Sequence, residues 1–529
     1  MRFRPEFLTA LVLGALGSTL AGAASSPSLE GRAVDAIRRD ATERGPGHAL
    51  PLAASWNDGS VPTGFGPDYQ VEQIRTGHYL FPWFTLAMPP VPGTAEFAQA
   101  GEALYYGPAI RYLAEHHLPL SFESTQWERL LPQVSPLYPK EDAQGHAPPI
   151  SPFGPLEPWY SAGRAWARDE VLERLQKLYP DPPRVLFISN NEYPKLSPND
   201  LHAGDGADTD ADAVARRRAI GDAWIERYRM LLRGFREGLE APAWRANAVF
   251  IGYDAFVSPA IGRWGGWPYY SLYVPGRSEP WPYAWDGASA SYYVHDWAPD
   301  ADFIVWSPEV EAMNYIAVLD EVRRTKPFFW FEISVWDGQQ PGSSTDKRDF
   351  YAARGQELTP DRYGGMVQFG MWLLRPRVVR EFRNPDQDRI RFGPYFNEIL
   401  AAVARVHDEP TLRAFWRSGR LLENPVGGHP YQTALPKELA ARPRWFLLDS
   451  AANPPRPWEL TTPLRVFSLA LEQGNVPHRQ WLIYAFAPLE ESLDTVVKIP
   501  DGPSAHVRAT RAGAFTLLAE GELPPRQIE

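Results

Sequence analysis

The sequence predicts an α/β protein, a (β/α)8 TIM barrel followed by a small antiparallel β-sandwich. Three observations predict it. Short apolar runs recur along most of the chain with helical patterns between most of them, the alternation expected of parallel strands joined by right-handed crossovers. After about residue 425 the helical period stops, and short β-rich runs follow, separated by Pro, Gly and Asn. Two of the apolar runs, Val185–Ile188 and Phe328–Phe331, lead into Glu192 and Glu332. A carboxylate at the end of a strand buried on both faces is costly unless it meets a polar pocket at the sheet rim.

In chain order, Met1–Ala24 reads as an export signal. Arg2 and Arg4 precede an apolar core, Phe7–Leu20, and Ala21-Gly22-Ala23 resembles a cleavage site. It is too short for a membrane span, and no later stretch is long and apolar enough for one. A soluble, exported protein in the periplasm or outside the cell is expected. The barrel is expected over residues 25–425, with strands at Leu50–Trp56, Tyr79–Ala87, Leu118–Ser124, Arg184–Asn190, Ala248–Asp254, Asp302–Trp306, Phe328–Ser334 and Met366–Trp372. Ala290–Trp297 is a candidate extra strand. Helical spacing appears at Glu96–His116, Arg164–Leu178, Asp210–Leu239, Ala312–Arg324 and Tyr395–Val406. The connections Trp127–Gly163 and Phe256–Asp300 are long, Pro-rich and aromatic. Both follow strand C-termini, the active-site face of a barrel. Residues 426–529 form the sandwich, with strands at Arg444–Asp449, Leu464–Glu472, Gln480–Ala487, Asp494–Ile499 and Val507–Ala519.

Composition excludes several chemistries. With no cysteine, there are no disulfides, thiolate nucleophiles or cysteine-held metals. The histidines show no H-E-x-x-H pattern, so neither a metal nor any other cofactor is expected. A net charge of −11 argues against nucleic acid as a partner. The abundant aromatics, 20 Trp, 23 Tyr and 26 Phe, fall largely in Pro/Gly-rich segments, where sugar C–H faces stack on indoles. The bland reading is that a large barrel simply buries many rings.

Glycosidic bond cleavage needs one protonated and one ionised carboxyl across the bond. Glu192 follows Ser189-Asn190-Asn191 and precedes Tyr193-Pro194; partial burial there would raise its pKa, as an acid/base requires. Glu332 shares a strand side with Trp330 and Ser334, which suits a nucleophile at the pocket floor. Asp254 and Glu309 are candidate holders of substrate hydroxyls, and Trp127, Trp306 and Trp336 candidate sugar platforms. The alternative for each acid is an arginine partner or a helix cap; Ser307 before Glu309 suits the latter.

A glutamate ending strand four after Asn191, and another ending strand seven, resemble the clan A retaining glycoside hydrolases. The resemblance implies Glu192 as acid/base, Asn191 on the sugar 2-hydroxyl, Glu332 as nucleophile and Trp372, after strand eight, as an aromatic platform. The aromatic loops and export signal are similar to those of agarase-like enzymes. The chain departs from the clan pattern in lacking an Arg at the end of strand two and a Tyr or His after strand six. The expected function is an exported retaining glycosidase acting on a poly- or oligosaccharide. The alternative is a catalytically inactive exported carbohydrate-binding protein. A polysaccharide lyase is a weaker third reading, since no uronate-neutralising arginine cluster stands out.

Overall fold

A computed structural model of the chain describes residues 52–54, 85–87, 107–124, 155–168, 170–189, 226–254, 286–292, 309, 328–334, 347–376, 378–382, 389–423, 450–454, 463–521 and 524–528. Its first sheet has eight strands: β1 (Leu52–Ala54), β2 (Thr85–Ala87), β3 (Leu120–Ser124), β4 (Val185–Ser189), β5 (Ala248–Asp254), β6 (Gly287–Tyr292), β7 (Phe328–Ser334) and β8 (Val378–Phe382). The order is β1-β8-β7-β6-β5-β4-β3-β2, and every pairing is parallel. The first strand thus lies against the last. Val185–Ile188 of β4 have no exposed surface, which explains why this strand is apolar without alternation.

Helices cover one side of the sheet. α1 (Gly107–Glu115), α2 (Glu157–Ala167) and α3 (Glu170–Leu178) precede α4, helical over 226–238. Arg164–Leu178, expected as one helix, is two. Between α2 and α4 the backbones touch: a Cβ on Gly163 would run into the Leu231 carbonyl oxygen, and one on Gly234 into that of Tyr160. Only glycine permits that approach. The contact brings Trp166 edge-on to Phe235 at 5.1 Å. A short α5 (Pro242–Asn247) then leads into β5.

One strand expectation fails. Met366–Trp372 lies not in a strand but in α7 (Pro360–Leu374), which follows α6 (Lys347–Ala352). The apolar run is buried on all sides, and periodicity alone does not separate such a helix from a strand. Pro360 at the first turn favours the helical start, and Arg375, left-handed at φ 43°, ends it. Strand eight is Val378–Phe382 instead. The strand between β5 and β7 is Gly287–Tyr292, GASASY; Asp302–Trp306, expected as strand six, lies outside the described residues. Its small polar residues carry no propensity signal, and pairing to β5 and β7 makes it a strand.

α8 (Arg389–Asp408) and α9 (Pro410–Ser418) lead to a second, seven-stranded sheet: β9 (Arg420–Leu421), β10 (Phe467–Gln473), β11 (Gln480–Phe486), β12 (Ser492–Lys498), β13 (Ser504–Thr510), β14 (Ala514–Ala519) and β15 (Arg526–Ile528). All its ladders are antiparallel save one rung, Phe486 beside Thr510. Val507–Ala519, expected as one strand, breaks between β13 and β14 at Gly513 (φ +83°), where a Cβ would strike the Tyr484 hydroxyl. Both faces of β11 are buried. Trp481, Ile483 and Ala485 share an apolar cluster with Val497, Val507 and Ala509. On the other face Phe467 and Phe486 pack on Phe369 of α7 at 5.8 and 5.9 Å.

Candidate functional site

Which positions of the first sheet face the helices is fixed at two separate places. Phe122, Phe187 and Phe250 occupy one rung of β3, β4 and β5, stacked at 5.8 and 5.4 Å. The Phe235 ring of α4 stands edge-on to Phe187 and Phe250 at 4.9 and 5.6 Å. Across the sheet, Val379 of β8 lines a cavity of about 200 Å³ with Met371 of α7, Val403 and Val406 of α8 and Trp416 of α9. The ladder connects the two anchors. Asp254, four residues beyond Phe250, pairs with Ala290, Ala290 with Phe331, and Phe331 with Val379. Strand alternation gives them all the same side, so the two anchors agree.

Glu332 is therefore a position of the opposite parity, away from the helices. Its rung carries Ser291 of β6 and Arg380 of β8, and Arg380 pairs in turn with Ala53 of β1. Asp254, at the C-terminal end of β5, occupies a rung of the other parity, beside Ala290 of β6. Glu192, Asn191, Trp127, Trp306 and Trp336 lie outside the described residues.

Glu309 does not serve substrate. It is 2% exposed, and both its oxygens accept from Arg362, from Nε at 2.6 Å and from Nη2 at 2.8 Å. Arg362 also donates through Nη1 to the carbonyls of Gln356 and Glu357 at 2.6 and 3.2 Å. This is the arginine partner weighed against substrate contact, and it ties the start of α7 to residue 309. Trp372 is likewise no platform. It is 1% exposed, inside α7, edge-on to Trp416 at 5.2 Å and 5.1 Å from Phe515 of β14.

Sequence reasoning missed Arg380 and Glu398. A signal for the strand that carries Arg380 was present: VVREF has two β-branched residues and an aromatic and follows Pro376, just past the end of α7. Glu398 of α8 packs against Gly364 of α7. Burial first, and then the Asp361 charge, push its carboxyl up to about 7. Asp361 accepts from the Arg362 amide at 2.9 Å and from Arg511 at 3.3 Å. Among the described residues no group of three His, Asp or Glu is arranged to hold a metal, and no helix is long and apolar enough to cross a membrane.

No family model matches the chain, and no curated protein does. Solved structures similar to it include glycoside hydrolases. One is the catalytic domain of the Bacillus sp. JAMB-750 GH26 endo-β-1,4-mannanase, at 10% identity and TM-score 0.33, covering 74% of this chain and 93% of that one. A second is the glycoside hydrolase domain of PgaB (BpsB) from Bordetella bronchiseptica, at 13% and 0.33, covering 70% and 98%. A third is a modular endo-β-1,4-mannanase from Cellulomonas fimi, at 11% and 0.35, covering 90% and 96%. With TM-scores below 0.5, these likenesses carry no argument about this chain.

Proposed function

We propose that the chain is an exported retaining glycosidase, with Glu332 as nucleophile and Glu192 as acid/base on a poly- or oligosaccharide. One observation carries the reading: the unbroken register from β4 to β7. Ser189 pairs with Gly252, Asp254 with Ala290 and Ser291 with Glu332. Glu332 lies near the C-terminal end of β7 in that sheet, and Glu192 follows the C-terminal end of β4 in sequence. The two glutamates proposed for catalysis thus go with the C-terminal ends of two strands that run parallel in one sheet. The pairing of β1 with β8 supports a ring, the (β/α)8 barrel, closed at the remaining seam between β1 and β2.

In such a ring the two carboxyls converge over the rim. Glu332 attacks the anomeric carbon while Glu192 protonates the departing oxygen; Glu192 then draws a proton from water, which releases the sugar. Retention requires the carboxyls to stand about 5–5.5 Å apart. Asn191, beside the acid/base, would hold the 2-hydroxyl, and Trp127, Trp306 and Trp336 would supply ring faces. Residues 1–24 would be removed on export, and the second sheet would form an accessory domain, with an antiparallel sandwich as its architecture.

The test is a panel of polysaccharides with product anomers followed by NMR. Release of product with the substrate's own anomeric configuration is expected, with loss of about 10³-fold or more in kcat for Glu332→Gln and preserved sugar affinity. Affinity without turnover in the wild type would instead favour a carbohydrate-binding protein on the same scaffold. Turnover undiminished in Glu332→Gln would remove that residue from the chemistry.

A further inference from the structure

We infer that the cleft between the β12–β13 hairpin and strands β14 and β15 of the second sheet is a binding site for a neutral saccharide of one or two rings. The site stands without the glycosidase reading; only its use to an enzyme, as a second hold on the same polymer, rests on that reading.

The cleft follows from how the second sheet divides. β13 meets β11 at a single rung, Phe486 beside Thr510, while β14 pairs with β11 from Gln480 to Ala485. The hairpin lies over the sheet, with Val497 and Val507 packed on Trp481 and Ile483. Thr495 shares a side with Val497 and a rung with Val507. On the facing layer Thr516 shares a rung with Ile483 and with Gln527. Thr495, Val507, Thr516 and Gln527 therefore face one interlayer space, and all four line a cavity of about 710 Å³. That volume is within the range of small-molecule sites.

Thr516 points to a ligand. It is 5% exposed, and among the described residues its hydroxyl has no hydrogen-bond partner. A hydroxyl buried that far ordinarily has one. The Gln527 amide beside it is also without a partner among the described residues, whereas the Thr495 hydroxyl is 3.0 Å from that of Ser450.

Charge decides the class of ligand. Arg465 is held by Glu490, from Nε at 2.8 Å and from Nη2 at 2.5 Å. Arg508 is the ladder partner of Asp494 and donates to Ser492 Oγ at 3.4 Å. Arg508, Asp494 and His506 have the parity opposite to Val507 and Thr495, so they belong to the outward side of the hairpin. The inner side presents a hydroxyl and an amide, each able to donate and accept, beside apolar surface from Leu493, Val507 and Pro525. Sugar hydroxyls and sugar C–H faces match that lining, and an ion finds no opposite charge there.

The experiment titrates full-length protein, labelled with 13C at threonine methyl groups, with glucose, galactose, mannose, cellobiose and lactose, and separately with inorganic phosphate. The Thr516 and Thr495 signals are assigned by their loss in Thr516→Ser and Thr495→Ser. Expected is a saturable shift of both signals with at least one sugar and none with phosphate. Read at Thr495, affinity should fall about three- to tenfold in Thr516→Val and be kept in Thr516→Ser, which retains the hydroxyl. Silence of both signals with every sugar overturns the site, and a response to phosphate alone overturns the ligand class. Undiminished affinity in Thr516→Val overturns the role of the hydroxyl; if that variant does not fold, the wild-type titration decides. Shifts at Thr516 in a protein that hydrolyses no sugar uphold this site and remove the glycosidase reading alone, and hydrolysis with both signals silent does the reverse.

Discussion

Arg362 directs its donors to one buried carboxylate and two carbonyls. Removing it strands the Glu309 charge without water. Arg362→Ala is therefore expected to cost about 3–5 kcal/mol, read by denaturant unfolding, whereas Arg362→Met with Glu309→Leu should cost much less. Equal losses in the two proteins would contradict a desolvated pair. Glu398 is the converse case, a carboxyl that the fold prefers neutral. Its folded pKa near 7 lies above the ordinary 4.5, first through burial and then through Asp361. Its contribution is most favourable below about pH 4.5 and is lost as pH rises through 7. Glu398→Gln should leave stability nearly unchanged at pH 4.5 and raise it at pH 8 by on the order of 2 kcal/mol. The same increment at both pH values would count against the charge as the cause.

Helix α7 shows how an element is specified by what surrounds it. Every residue from 362 to 374 is buried, with the β7–β8 side of the first sheet on one flank and the second sheet on the other, so the amphipathic stripe that normally marks a helix is absent. Trp372→Ala would leave a cavity between Trp416 and Phe515, and a loss of about 3–5 kcal/mol is expected. A catalytic platform would instead lose sugar affinity with stability intact, so melting and binding measurements together separate the two roles. Gly234 makes the matching point for α2 and α4. An added methyl meets the Tyr160 carbonyl, which belongs to a helix backbone and cannot turn aside. Gly234→Ala should destabilise by about 2–3 kcal/mol, visible as a lowered Tm.

At the scale of the molecule, the second sheet closes the first. Phe467, Phe486 and Phe515 cover α7, the Arg405 guanidinium of α8 lies 4.9 Å over the Phe515 ring, and Tyr484 donates its hydroxyl hydrogen to the Gly365 carbonyl at 2.6 Å. Ending the chain after Gly419 would expose that apolar face. The expected product is a protein that binds hydrophobic dye and loses its near-ultraviolet dichroism. A truncated chain that melts cooperatively would show the first sheet to be self-sufficient.

The sequence by itself determined the strands whose burial is symmetrical and whose ends are marked by breakers. β4 was legible because a strand buried on both faces is apolar without alternation, as Val185–Ile188 are; β3, β5 and β7 were legible from their apolar and aromatic runs, and Glu332 stood out against the four aromatics before it. Tertiary structure alone decided the rest. GASASY is a strand only because two neighbours hydrogen-bond to it, and GGMVQFGMW is a helix only because two layers enclose it. Glu309 was an acid awaiting either a sugar or a cation, and the choice belongs to Arg362, 53 residues away. The side on which Asp254, Glu332 and Arg380 fall was equally undecidable from local pattern, since alternation fixes which residues share a face, and only packed rings on neighbouring elements say which face that is.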